Sequence, residues 1–171
     1  DYFSAEAPTK YKIKGSFGHP VPVVDGKTQS AGAKAKAIVL RKEFTEERDL
    51  FSIDYTSAYS TPNLDKLIRT FVYDRQGEGN FTVSDEFTAN VPIRFETAIT
   101  TQADWKVLDD TRLLLTSGTE QMIVNIEASG KVAFTSETIE VNASAYTRIG
   151  IALKEQAEKG YIWLKMQAKQ L

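Results

Sequence analysis

The sequence predicts an all-β protein: an antiparallel, supersandwich-like β-sandwich of two stacked sheets with little helix. Three observations predict this fold class. Apolar and polar residues alternate along most of the chain, strand signals recur roughly every 8–14 residues, and strand-favouring aromatics are abundant, with nine Phe and seven Tyr among 171 residues. We expect one domain over residues 1–171, because neither a linker nor a repeat divides the chain.

Local turn sequences predict how neighbouring strands pair. An alternating run at residues 34–37 leads into the apolar residues 38–40 and predicts an early strand. Further on, three antiparallel pairs are expected around turns that contain Gly or Asp: residues 71–87 around Gln76–Gly79, residues 105–116 around Asp109–Asp110, and residues 147–166 around Gly160.

Helical signal is confined to two short stretches. Residues 61–67 can form one helical turn, because Thr61 is a favourable cap and Pro62 suits the first helical position. Residues 152–159 contain good helix formers, but they lie between two strand-like runs and are interpreted as a hairpin connection.

Composition and charge exclude several classes of function. The net charge of −2 argues against a general nucleic-acid binder, which needs a basic surplus. The chain has no cysteine, so disulfides and cysteine-based metal sites are excluded. No apolar run approaches the roughly 18 residues that span a bilayer, so we expect no membrane span.

His19 is the only histidine, and it lies in a short apolar run, Gly18–Val24, that ends at an Asp-Gly turn. Zinc needs three or four imidazole, thiolate or carboxylate ligands. This chain offers one imidazole and no thiolate, and Asp25 would face elsewhere on an extended strand. Two interpretations stay open: His19 is a structural residue that hydrogen-bonds a backbone carbonyl, or it is one ligand of a metal site whose partners lie on another segment.

Three ordered blocks between residues 15 and 90 carry a resemblance to a known family. Ser16–Gln29, with its Gly-His and Asp-Gly pairs, looks like a segment that reads roughly Ser-x-Gly-His-Asn-x-(apolar)-x-(apolar)-Asp-Gly in that family. Asp54–Tyr59 resembles its Asp-(apolar)-Thr/Ser-x-Ala-Tyr run, and residues 66–87 are similar to a hairpin with Arg on one strand and Asp on the other. The family is that of the heparinase II/III-like polysaccharide lyases.

This resemblance implies a fragment of a larger enzyme. Family members join an N-terminal α-helical toroid to C-terminal antiparallel β-sheet domains, and they cleave uronate-containing polysaccharides by β-elimination. Because the toroid carries most of the catalytic groups, this chain is expected to be a C-terminal β-sandwich that supports the cleft and is not catalytic alone. The expected partners are the toroid of the same parent chain and an acidic polysaccharide. The expected location is extracytoplasmic, periplasmic or secreted, in a bacterium.

The resemblance also implies a partial metal site at His19. In parts of the family the matching histidine binds a mainly structural zinc ion together with a His and an Asp from strands just upstream. Those strands are expected to lie outside this chain, so zinc is expected only in the full-length parent and no cofactor in this fragment. Pro20 departs from the Asn that more commonly follows the histidine.

No catalytic residue is assigned in this chain. Tyr55 and Tyr59 are candidates for the base or acid of the elimination, but each is expected to be a buried tyrosine whose hydroxyl bonds a neighbouring strand. Asp54 is expected either to pair with Arg69 or to hold a backbone turn.

Two features bear on an alternative function, a free-standing carbohydrate-binding or interaction β-sandwich module. Lys34 and Lys36 are predicted to share one strand face and could contact an acidic polysaccharide, although a solvated face is the simpler interpretation. Trp105 and Trp163 could form a sugar-stacking platform, but their strong strand patterns predict core positions.

Overall fold

Two antiparallel β-sheets packed together form the structure, a computed structural model that describes residues 12–141 and 144–169. This architecture confirms the predicted all-β sandwich. The helices in these ranges are the single 3-10 turns Lys12–Lys14, Ser16–Gly18 and Thr56–Ala58, and none is long and apolar enough to cross a membrane. The strands are β1 (Val23–Val24), β2 (Ile38–Phe44), β3 (Arg48–Asp54), β4 (Leu64–Asp74), β5 (Asn80–Ile93), β6 (Phe95–Thr101), β7 (Asp104–Asp109), β8 (Arg112–Ser117), β9 (Glu120–Ala128), β10 (Val132–Val141), β11 (Ser144–Leu153) and β12 (Ala157–Ala168).

The two sheets differ in size. The smaller sheet has four strands in the order β1-β6-β11-β10, and the larger has eight in the order β2-β3-β4-β5-β12-β9-β8-β7. Two meanders, β2 to β5 and β7 to β9, build the larger sheet, and β12 joins them by pairing with β5 and β9. The larger sheet therefore has twice as many strands as the layer that packs against it.

The first two predicted hairpins form as expected. β4 pairs with β5 so that Tyr73 lies opposite Phe81, and the loop between them contains Gly77 and Gly79 with positive φ values of 61° and 73°. β7 pairs with β8 through the Asp109–Asp110 turn. Both predictions succeed because the residues that set the register lie beside the loop.

The predicted pairing of residues 147–153 with residues 161–166 is wrong. β11 pairs with β6 and β10 in the smaller sheet, whereas β12 pairs with β5 and β9 in the larger one. Residues 152–159 therefore include a crossover between layers and not a hairpin connection. Ile151 on β11 and Ile162 on β12 are both fully buried, so each strand contributes to the core from its own layer.

The helical turn considered for residues 61–67 does not form. Leu64 N donates to Thr61 O at 3.1 Å in a turn, and β4 begins at Leu64. Leu67 is fully buried on β4, which pairs with β3 and β5. Sheet pairing and burial outweigh the weak local helix signal.

The early strand is shorter than its sequence pattern predicts. β2 begins at Ile38, and residues 34–37 belong to the loop before it. Lys34 and Lys36 are exposed there and share no strand face, which corrects the prediction made for them. Alternation of Lys with Ala gives this stretch little apolar surface to bury.

The core lies between the two sheets and consists mainly of apolar side chains. Phe87 on β5 stacks on Phe95 on β6 with ring centroids 4.5 Å apart, which joins the two layers. Side chains that are at most 1% exposed come from both sheets; they include Leu67, Ile93, Leu113, Ile139, Ile149, Ile151, Ile162 and Leu164. Full burial of one such side chain contributes about 1.5–3 kcal/mol, so hydrophobic packing holds the layers together.

Candidate functional site

His19 lies in Gly18–Pro22, which we call the His19 segment. Four carbonyl groups of this segment accept hydrogen bonds from side chains that are distant in sequence. The donors are Tyr146 Oη to Gly18 O, Arg69 Nη1 to Pro20 O (2.6 Å), Arg148 Nη2 to Val21 O (3.4 Å) and Tyr59 Oη to Pro22 O (2.8 Å). Pro20 and Pro22 have no N–H group, so their backbone offers only acceptors. The segment is therefore held by its carbonyls, while His19 stays exposed.

Arg69 and Asp85 form a buried ion pair that anchors this segment. Arg69 on β4 is 6% exposed and Asp85 on β5 is 1% exposed. Arg69 Nε donates to Asp85 Oδ1 at 2.8 Å and Arg69 Nη2 donates to Oδ2 at 2.7 Å, a bidentate geometry. Thr97 on β6 donates to Asp85 Oδ2 at 2.6 Å, which ties the pair to the smaller sheet. Since Arg69 Nη1 also binds Pro20 O, the ion pair fixes the residue that follows His19.

The hydroxyls of Tyr55 and Tyr59 are engaged within the protein. Tyr55 Oη donates to Asp85 Oδ1 at 2.7 Å, and Tyr59 Oη donates to Pro22 O. Both side chains are buried, and their rings meet edge to face with centroids 5.9 Å apart. Burial, with the charge of Asp85, raises the pKa of both hydroxyls well above 10. Both are therefore buried tyrosines with hydrogen-bonded hydroxyls, as the sequence predicts.

Asp54 holds a backbone turn, which is one of the two roles expected for it. Its Oδ1 accepts from Thr56 N at 3.0 Å and from Thr56 Oγ1 at 2.7 Å. Leu67 N in turn donates to Thr56 Oγ1 at 2.7 Å, so the turn is tied to β4. The alternative partner, Arg69, pairs with Asp85.

A second arginine secures the other side of the His19 segment. Arg148 on β11 is 2% exposed, and its Nη1 donates to Glu96 Oε1 at 2.6 Å. Its guanidinium lies 4.4 Å from the centre of the Phe17 ring, a cation–π distance. Arg148 Nε has no hydrogen-bond partner within the described part of the chain. The segment is thus held by one arginine from each sheet.

His19 borders a surface groove of about 320 Å³ together with Gln102 and Tyr146. The backbone of His19 is fixed: its N donates to Ser16 O at 3.1 Å, and its O accepts from Val21 N at 2.8 Å. Among the described residues, no group of three or more His, Cys, Asp or Glu could hold a metal ion. The described part of the chain therefore offers a single exposed imidazole on a hydrogen-bonded backbone and does not supply the complete ligand set of a zinc site.

Arg148 and Tyr146 escaped the sequence analysis, whereas Arg69 and Asp85 belong to the hairpin that carries the resemblance. Arg148 lies beside the fully buried Ile149. A charged residue inside an otherwise apolar strand is a usable signal for a buried ion pair. Tyr146 carries no such signal, since tyrosine is ordinary in strands.

The two tryptophans occupy different environments. Trp105 on β7 is half-buried and packs against the core, as its strand pattern predicts. Trp163 on β12 is 37% exposed, so the core position predicted for it is wrong. Ile162 and Leu164 take the inward positions on β12, and strand alternation places Trp163 on the opposite face. The pair forms no common platform.

Comparison of the fold with solved structures finds matches for this chain, whereas comparison of its sequence finds none. No protein-family model and no curated protein matches it. A crystal structure of heparinase III matches with a TM-score of 0.68 and 17% identity, over 95% of this chain and 25% of that one. A mutant of the heparan sulfate lyase HepC from Pedobacter heparinus matches with a TM-score of 0.71 and 14% identity, over 100% of this chain and 28% of that one.

Another heparinase III, the BT4657 gene product, matches with a TM-score of 0.71 and 11% identity, over 97% of this chain and 26% of that one. The chain thus spans about a quarter of the length of these structures. At such low identity the likeness concerns the fold. The chain has the fold of a domain-sized region of heparinase III, in agreement with the resemblance seen in its sequence.

Proposed function

We propose that this chain is the β-sandwich domain of a heparinase-like polysaccharide lyase whose catalytic groups lie in another part of the same protein. The observation that carries the proposal is the fold match over nearly the whole chain to about a quarter of several lyase structures. The predicted activity is β-elimination of a uronate-containing polysaccharide by the complete protein. An extracytoplasmic location follows from the same proposal, because such polymers lie outside the cytoplasm, and fractionation of the source cells checks it.

The chemistry of β-elimination supports a non-catalytic role for this domain. The reaction needs a group that neutralises the uronate carboxylate, a base for the C5 proton and an acid for the leaving oxygen. Tyr55 and Tyr59 are the candidates for base or acid that the sequence suggests. Their hydroxyls donate hydrogen bonds to Asp85 Oδ1 and Pro22 O. The domain is therefore proposed to support the cleft mechanically and to present the His19 segment at a fixed position.

The edge strand β2 is the surface on which we expect the rest of the lyase to pack. All of its residues are exposed, and Ile38, Leu40 and Phe44 are 58%, 49% and 67% exposed. Among the described residues β2 pairs with β3 alone, so its other edge has no strand partner there and lies beside this apolar surface. Natural proteins protect such edges. The matched lyases, being about four times longer than this chain, have the additional mass to do so.

Hydroxyl-radical footprinting tests this packing. Phe44 is expected to be labelled strongly in the isolated chain and at least several-fold more weakly in the complete protein. Trp163, which is also exposed and lies on a different strand, is the matched internal control and is expected to be labelled equally in both. Equal labelling of Phe44 in the two proteins would exclude β2 as the docking surface.

We also infer that His19 supplies one ligand to a zinc ion whose other ligands lie outside this chain. Its exposure and its rigid backbone support this role, and the chemistry of imidazole suits zinc. The zinc content of the complete protein and of His19→Ala, measured by mass spectrometry, tests it. We expect stoichiometric zinc in the unaltered protein and less than half in the variant, with unfolding temperatures recorded for both. Full zinc in the variant would remove His19 from the site.

A further inference from the structure

A groove of about 580 Å³ lies on the larger sheet where β4, β5 and β12 run side by side. Its volume is within the range of small-molecule binding sites, about 300–1,000 Å³. Its exposed lining residues are Lys66 on β4, Glu86 and Thr88 on β5, Lys159 on β12, and Ser129, which follows β9. We call it the Lys66–Lys159 groove.

Strand alternation places this groove on the outer face of the larger sheet. Leu67 and Phe87 lie opposite each other and are buried in the core. Their neighbours Lys66 and Glu86 therefore point the other way, away from the smaller sheet. The groove is thus accessible from solvent without any rearrangement of the two layers.

The groove is shaped by irregular pairing on both sides of β5. Lys66 and Lys159 both pair with Thr88, so the two lysines flank one strand in a single row. The register shifts immediately beside each lysine, between Leu64 and Lys66 on β4 and between Ala157 and Lys159 on β12. Such irregularities re-aim side chains and are frequent beside binding sites.

The charge of the groove favours an anion. Neither the Lys66 nor the Lys159 ammonium group makes a hydrogen bond or an ion pair with any described residue. Glu86, in the next row, is the single acidic residue of the lining. The lining itself therefore carries two ammonium groups against one carboxylate, on a chain whose net charge is −2. A second carboxylate, that of Glu127, lies outside the lining and accepts the Tyr161 hydroxyl.

An aromatic surface adjoins the lysines. Tyr161 lines the groove and pairs with Glu86, and its ring centroid lies 5.1 Å from that of the exposed Trp163 at an interplanar angle of 43°. Tyr161 Oη donates to Glu127 Oε1 at 3.3 Å, which restrains the ring. Rigid aromatic faces suit the apolar C–H face of a pyranose, while hydroxyls and charges bind its polar edge.

We propose that the Lys66–Lys159 groove binds an anionic oligosaccharide, with Tyr161 contacting a sugar ring and the two lysines contacting its carboxylate or sulfate groups. The site lies wholly within this chain, so the proposal does not rest on the proposed function. It differs from the sequence-based hypothesis in its residues, because Lys34, Lys36 and Trp105 take no part.

Calorimetric titration of this chain with three hexasaccharides tests the chemistry of the ligand. The probes are a heparin hexasaccharide, hexagalacturonate and the neutral cellohexaose. We expect at least one anionic probe to bind at least about ten-fold more tightly than cellohexaose and to bind more weakly at higher salt. Comparison of heparin with galacturonate separates sulfate from carboxylate recognition. Equal affinity for all three probes, or no binding of either anionic probe, would overturn the proposal.

Matched charge variants test the location. The double variant Lys66→Ser/Lys159→Ser is expected to weaken binding of the anionic probe about ten-fold or more. The double variant Lys34→Ser/Lys36→Ser removes the same charge from an exposed loop and is expected to leave the affinity within about two-fold. A loss in the loop variant with none in the groove variant would move the site to the loop and overturn the assignment.

Two variants of Tyr161 test the contribution of ring contact to binding separately from that of charge. Tyr161→Ala is expected to weaken binding about five-fold or more, whereas Tyr161→Phe keeps the ring and is expected to retain most of the affinity. Thermal unfolding of both variants establishes that they are folded at the temperature of the titration. Unchanged affinity in a folded Tyr161→Ala variant would remove the ring from the site.

Discussion

Arg69 and Asp85 connect the chemistry of single residues to the position of His19. Burial of the two charges is costly, and the cost is offset only when geometry and additional hydrogen bonds are favourable. Asp85 accepts hydrogen bonds from Arg69, Tyr55 and Thr97, and Arg69 also binds Pro20 O. These hydrogen bonds offset the cost of desolvating the two charges. They also connect the two sheets to each other and to the His19 segment.

Removal of the buried carboxylate is expected to be severe. Asp85→Asn leaves the Arg69 guanidinium buried without its counter-charge, so we expect the free energy of unfolding to fall by about 3–5 kcal/mol. Urea denaturation measures this change. Asp109→Asn, which breaks the exposed pair with Arg112, is the matched control and is expected to change stability little. Comparable losses in the two variants would contradict the role given to the buried pair.

The buried tyrosines predict a loss of stability at alkaline pH. Burial raises the pKa of Tyr59 above the usual value of 10, so the folded state keeps a proton that the unfolded state releases. Stability contributed by this group is complete below pH 10 and falls as pH rises above 10, by up to about 1.4 kcal/mol per pH unit. Urea denaturation at pH 9 and pH 11 measures the decline. Tyr59→Phe is expected to decline less steeply than the unaltered chain; an identical decline would contradict the assignment.

At the scale of the strand, Gly160 is required where β12 passes Phe87. A Cβ at position 160 would lie 2.6 Å from Ser129 Oγ and 2.9 Å from Phe87 Cε1. The Phe87 ring cannot yield freely, because it stacks on Phe95 in the core. Lack of a side chain at this point thus permits the close approach of β12 and β5.

Gly160→Ala is therefore expected to lower the free energy of unfolding by about 1–3 kcal/mol through overpacking. Gly130→Ala is the matched control, since its Cβ would meet only Leu153 Cδ2 at 4.0 Å, and we expect it to be neutral or slightly stabilising. Chemical denaturation of both variants provides the comparison. If Gly160→Ala were as stable as Gly130→Ala, the close approach would not constrain the strand.

Some strand pairings of this fold could be predicted from the sequence and others could not. β4–β5 and β7–β8 were predictable because their turns and registers are local. The partners of β11 and β12 were not, because two buried strands that follow each other can pair or can face each other across a core, and the local pattern is the same. His19 stood out as the only histidine, whereas Tyr146 and Arg148 reach its segment from more than 120 residues away, and no spacing encodes such a contact.

At the scale of the whole molecule, the sandwich offers three surfaces with different proposed tasks. The exposed β2 edge is expected to pack against the rest of the protein, the His19 segment to contribute to a zinc site, and the Lys66–Lys159 groove to bind an anionic sugar. None of these tasks requires the described residues to perform β-elimination. Non-catalytic tasks of this kind are consistent with a chain that matches about a quarter of the length of each lyase structure.

A lyase assay tests the central claim most directly. Absorbance of the unsaturated uronate product is followed for this chain and for the protein expressed from its complete open reading frame, on heparan sulfate, chondroitin, hyaluronan and alginate. The account predicts product formation by the complete protein on at least one of these polymers and none by this chain alone. Activity of the isolated chain, or a folded complete protein that is inactive on all four polymers, would contradict it.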